Sequence, residues 1–263
     1  MSRPAWTTVR AFFFFCNAVF AFCAALFIHE LGHALFIKAV HGYFPKISMN
    51  PLAGGHVSYY ADPSTFAQQL WISSGGILLG SVAGVLCAAI GLGLLRTVWA
   101  APVILFGIVS LCINSLMLTA GYFLFPTGDI HRMVDLGFPV WLAVVCGVSG
   151  LFAGGYLMLL ALPYFGLDRD STLMEKYIVL GSGVALYGGL VLGVTILLED
   201  AHHLQQRIKY VTTMILVLVV GLHVIEQAAP LLPRTRTSQH QVRGVHLVFS
   251  AVLALGAFWL TSR

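Results

Sequence analysis

Charge is the scarcest property of this sequence. Only 9% of its 263 residues are Asp, Glu, Lys or Arg, against roughly 25% in soluble globular chains, so a water-facing surface cannot be built from it. The 14 Lys and Arg against 10 Asp and Glu leave a net charge of +4. No basic block gathers that excess, so nucleic acid is not an expected partner. Cysteine is sparse too: Cys16, Cys23, Cys87, Cys112 and Cys146 are odd in number and form no C-x-x-C pair. That argues against a disulfide framework or a thiolate zinc site; the five read as small buried hydrophobes. Long polar stretches are missing as well. "RTVWAAP", "PTGDIHRMVDLGFP", "GLDRDSTLMEK", "EDAHHLQQRIK" and "PRTRTSQHQVR" are all too short for a folded soluble domain of about 50 residues. No internal repeat is evident, which disfavours an inverted-repeat transporter.

What remains is apolar: 59% of the residues, with a mean hydropathy of +0.89. Runs long enough to cross a bilayer, about 20 residues each, occupy Ala11–Val40, Trp71–Leu95, Ala101–Phe125, Val140–Phe165, Tyr177–Leu198, Tyr210–Ala229 and Val245–Leu260. The expected fold is an all-α polytopic membrane protein of about six or seven transmembrane helices. Arg3 and Arg10 precede the first run in the manner of a signal peptide, but the run continues to Val40. That is too long for a signal core, so it is expected to stay as the first membrane helix. Gly80–Gly84, Gly150–Gly154 and Gly189–Gly193 have the spacing that lets helix backbones approach closely in lipid. One stretch breaks the helical pattern: His41 to Ser64 holds Pro45, Pro51 and Pro63 and a Gly54–Gly55 pair. Its "ISMNPL" and "GGHVSYY" predict two short strands around a turn, a membrane-associated β-hairpin after the first helix that protein or a wet cavity must cover.

The first run also carries "FIHELGHALF", Phe27 to Phe36. His29-Glu30-Leu31-Gly32-His33 is an H-E-x-x-H sequence, which on a helix puts both imidazoles on one face and lets them share a zinc ion. Glu30 stands where its carboxylate can take a proton from an activated water. Chance supplies the pattern about 0.006 times in a chain of this composition, and ionisable groups inside a span are costly and usually functional. Catalytic zinc needs a third protein ligand. Asp129 is the first candidate, since the ends of spans one and three reach the same membrane face; His131 competes, and Asp135, His41 and His56 trail. Asn114, mid-span in "SLCINSLML", reads either as an interhelical hydrogen-bonding group or as a donor to a substrate carbonyl or oxyanion.

These residues together resemble the site-2 protease family of intramembrane zinc metalloproteases, in a compact form without PDZ or CBS domains. "HELGHA" is close to its zinc signature, "PLAGGHVSYY" looks like its membrane-reentrant hairpin, and "SSGGILLGS", at the start of the second span, is similar to its Gly-rich helix start. The series Asn114, Pro126, Asp129 resembles its third-helix motif. Two departures stand out: Gly128-Asp129-Ile130 replaces the family's Asp-Gly, and the interval from Asn114 to Asp129 is longer. The resemblance implies a zinc-protease core over residues 1–135, three helices plus a hairpin at 42–62, with additional membrane helices over 136–263. It implies one zinc ion per chain on His29, His33 and Asp129, with Glu30 catalytic and Gly54, Gly55, His56, Val57 and Asn114 touching substrate. The implied partners are the lipid bilayer, a membrane-protein substrate cut in or near its transmembrane helix, and a regulatory membrane protein.

Two other readings compete. A membrane metal-dependent oxidase would use the E-x-x-H spacing of Glu199 and His202 with His203, His223 and Glu226, but such sites need two E-x-x-H helices in one core. A zinc-binding or zinc-transporting protein would spread ligands along several helices and would have no use for Glu30. The charge bias is slight, eight Lys and Arg on the N-terminal side against six opposite, and does not fix orientation. The resemblance places the active site nearer the cytosolic face.

Overall fold

The first apolar run folds as a single helix, α1 (Arg3–His41), 39 residues long. From Arg10 to Lys38 it rises roughly 42 Å, the full thickness of a bilayer with its headgroups. The computed structural model describes residues 3–50, 54–58, 65–95, 97–124, 128–167, 171–198 and 242–262, with scattered positions between 208 and 227. After α1 come strands β1 (Lys46–Asn50) and β2 (Gly54–Ser58), then α2 (Phe66–Ile90) and α3 (Ala101–Leu116). Short α4 (Tyr122–Leu124) and α5 (Asp129–Asp135) follow, then α6 (Val140–Ala161), α7 (Leu173–Leu198) and α8 (Gly244–Thr261).

Six stretches are long and apolar enough to cross a membrane: Thr7–His41, Phe66–Gly93, Val98–Leu124, Val140–Phe165, Leu173–Gly193 and Gly244–Thr261. The chain is therefore a multi-pass membrane protein. The expected span at Tyr210–Ala229 lies largely outside the described residues, as do Glu199, Asp200, His202, His203 and Glu226. Large apolar side chains face outward, Phe152 at 67% and Leu255 at 71% exposure, as suits a lipid-facing surface. Lipid also explains a departure from expectation: Cys146 is exposed rather than buried, because an apolar side chain in hydrocarbon needs no protein cover.

α1 is the hub, packing against α2, α3, α7, α8 and both strands. At one end Phe13 and Phe14 meet Phe165, the latter pair edge-on at 5.0 Å. Toward the other end the helices touch through glycine. A Cβ at Gly75 would stand 2.9 Å from the Gly32 carbonyl oxygen, and one at Gly107 would stand 2.6 Å from that of Gly84. Such contacts drive association where lipid removes the hydrophobic term. Of the three expected glycine pairs, Gly80–Gly84 packs on α3, and Gly150–Gly154 faces Ser115 and Cys112 of α3. Gly189 and Gly193 have no neighbour within 4 Å among the described residues.

The hairpin forms where the sequence places it. β1 and β2 pair antiparallel with Ile47 opposite Val57 and Asn50 opposite Gly54, and both strands rest on α1. α2 then starts cleanly: Thr65 Oγ1 accepts from the Gln68 amide at 3.2 Å, and Gln68 Oε1 accepts from the Thr65 amide at 3.0 Å, a reciprocal cap. The end of the third span is less regular than its apolar run suggests. α3 passes into a π-helical turn at Met117–Gly121, whose i→i+5 bonding takes up an extra residue per turn. Asp129 does not end this span; it opens the separate helix α5. Gly128, at φ 131°, makes the bend that a side chain would resist.

Candidate metal centre

His29 and His33 sit one turn apart on α1, roughly 14 and 8 Å along the axis from Lys38, each only 8% exposed. Their orientation is fixed from behind. His29 Nδ1 donates to Asn114 Oδ1 at 2.8 Å, and His33 Nδ1 donates to the Ile72 carbonyl at 2.7 Å. Both partners are pure acceptors, so each ring carries its proton on Nδ1 and turns a bare Nε2 lone pair the other way. The two Nε2 atoms lie 3.2 Å apart. Asp129 Oδ2 completes a triangle, 3.0 Å from His29 Nε2 and 3.2 Å from His33 Nε2.

Three electron-rich atoms facing one another at this distance require positive charge among them. A tetrahedral zinc with bonds of about 2.0–2.1 Å spaces its ligands by about 3.3 Å, so the triangle fits three ligands of such a centre with one position open. Space for it is kept by Gly76 on α2, where a Cβ would fall 2.5 Å from His33 Nε2 and 2.8 Å from His29 Nε2. His29, His33 and Asp129 are the one His, Cys, Asp and Glu group among the described residues that could hold a metal ion. Asp129 lies on the open side, its side chain 29% exposed against 10% for each histidine.

Glu30 is 5% exposed and lies beneath β2. A Cβ at Gly55 would meet Glu30 Cγ at 2.5 Å and Oε1 at 2.6 Å, so the absence of a side chain lets the strand lie directly on the carboxylate. Of the strand residues expected near substrate, Gly55 is the one that lies on Glu30; His56 is exposed, and Gly54 and Val57 are half-buried in the same strand. The rival ligands stay apart from the triangle. His131 stacks its ring on Tyr122 at 4.6 Å, Asp135 ends α5, and His41 ends α1 beside Tyr43. Pro126 lies outside the described residues. Asn114 is brought to the site as expected, but it contacts His29 rather than offering a free donor. Sequence reasoning missed the Ile72 carbonyl, which has no sequence signal because every residue carries one. It also missed Gly76, whose signal was the "SSGGILLGS" stretch read only as a helix start.

The chain matches no protein-family model, no curated protein and no solved structure.

Proposed function

We propose that this chain is an intramembrane zinc metallopeptidase of the site-2 protease kind, with its active site nearer the cytosolic face. Its substrate is a membrane protein cut in or near a transmembrane helix. The observation that carries the reading is the convergence of His29 Nε2, His33 Nε2 and Asp129 Oδ2 at 3.0–3.2 Å, directly beside the buried Glu30 and under a β-strand. These three residues would hold one zinc ion, which when bound would supply Lewis-acid activation of water and of the scissile carbonyl.

The protein groups do the rest. Glu30 takes a proton from the attacking water and returns it to the leaving amine, so that one water and one peptide bond give a carboxylate and an amine. A substrate helix shields its own carbonyls through its i→i−4 bonds and must be unwound first. The strand at Gly54–Val57 supports that step by pairing with the extended segment through backbone hydrogen bonds, as in β-augmentation. Retention of Glu30 beside the histidines favours hydrolysis over carriage, since binding alone would not use it.

The test is cleavage of a model transmembrane substrate by reconstituted protein, with zinc content measured alongside, for wild type and Glu30→Gln. Zinc in both with cutting only by wild type is the expected result. Zinc in both with no cutting by either would replace the peptidase with a binding or transport protein.

A further inference from the structure

We infer that Asn114 is a positioning residue of the metal centre, which sets the affinity of His29 for the ion, and that it does not bind substrate. The inference rests on the metal reading of the site given above. Asn114 is 1% exposed in the last turn of α3, and its carboxamide is spent on the protein. Nδ2 donates to the Ser110 carbonyl at 2.8 Å, one turn back in the same helix, while Oδ1 accepts from His29 Nδ1 at 2.8 Å. The reverse amide orientation would set the carboxamide oxygen against the Ser110 carbonyl, so that carbonyl determines the direction of the amide and makes Oδ1 the atom that faces His29.

The second helix is shaped around this contact. A Cβ at Gly80 would lie 3.1 Å from Asn114 Cγ and 3.3 Å from Oδ1, and closest of all to Nδ2. Gly80 is thus the slot the carboxamide occupies, and Nδ2 packed against it has no clear path to an oxyanion. At the same level Ser110 Oγ donates to the Gly80 carbonyl at 2.8 Å, tying α2 to α3. Three helices therefore meet at one hydrogen bond, whose effect is to leave His29 Nε2 bare and aimed at Asp129. His33 receives the same service from a backbone carbonyl, which no side-chain substitution removes. Control of the ligands from behind by a side chain thus falls to Asn114 among the described residues. Partners of this kind typically contribute 10–100-fold to metal affinity.

The test needs no substrate. Zinc affinity is measured on purified, detergent-solubilised protein by competition with a chromophoric chelator. Asn114→Leu, similar in volume but without the acceptor, should weaken zinc binding about 10–100-fold. Asn114→Asp keeps the acceptor and adds charge, so its affinity should equal or exceed that of wild type. Gly80→Ala leaves every ligand and Asn114 itself in place but intrudes on the carboxamide, and it should weaken binding in the same direction. This variant also serves if Asn114→Leu fails to fold. Undiminished zinc affinity in Asn114→Leu, or in Gly80→Ala where the former does not fold, overturns the inference and leaves the metal site standing. Wild-type protein that binds no zinc overturns the metal reading itself, and this inference with it.

Discussion

Gly76 has no side chain, and the two histidine rings need the room. A methyl group there would contact both Nε2 atoms at 2.5–2.8 Å, and neither ring can swing away without giving up its Nδ1 hydrogen bond, worth about 1 kcal/mol net and more when the partner is left buried. Gly76→Ala should therefore lower zinc affinity at least about tenfold while the helices stay assembled. Chelator competition together with an unchanged elution profile on gel filtration would check both halves, and full zinc affinity would show that the cradle is not needed. At this scale the H-E-x-x-H residues were legible because residue type and spacing alone specify two rings on one helix face. The atoms that aim the rings were not: one is a backbone oxygen, and the other belongs to an asparagine whose partner depends on how α3 meets α1.

Among the elements, the hairpin departs most from a helical bundle, and its placement gives it a use. β2 rests on α1 with Gly55 over the Glu30 carboxylate, and Val57 pairs with Ile47 in the ladder. Val57→Pro removes a backbone donor and fixes φ in the middle of a short strand. It should abolish or strongly reduce cleavage while leaving zinc content unchanged, since no ligand lies on the hairpin. Full activity in that variant would sink the strand-pairing step. Prolines and the Gly54–Gly55 pair made the hairpin legible, and hydropathy made the spans so. The π-helical turn at Met117–Gly121 was not legible, because an apolar run has the same composition whichever hydrogen-bond register it adopts. That turn, with the short helix α4, accounts for residues in the long interval between Asn114 and Asp129. The interval had looked like a departure from a compact motif, yet both residues reach His29.

At the scale of the whole molecule, a bundle held in lipid gains little from hydrophobic contact between helices, and it places two histidines, a glutamate and an aspartate around one point. Such groups cost a few kcal/mol each inside a membrane segment. A bound zinc ion offsets that cost readily, since structural zinc contributes about 10–16 kcal/mol in small zinc-binding peptides at neutral pH. The multi-pass architecture followed from composition. The meeting of α1 with α5 followed from a parity argument on the first and third spans, whereas the roles of α6, α7 and α8 carry no residue pattern from which to read them. The most direct test of the account is the metal content of purified protein by elemental mass spectrometry, comparing wild type with Asp129→Ala and His131→Ala. The account predicts about one zinc per chain in wild type and in His131→Ala, with loss in Asp129→Ala. Folded wild-type protein without zinc, or zinc kept in Asp129→Ala and lost in His131→Ala, would contradict it.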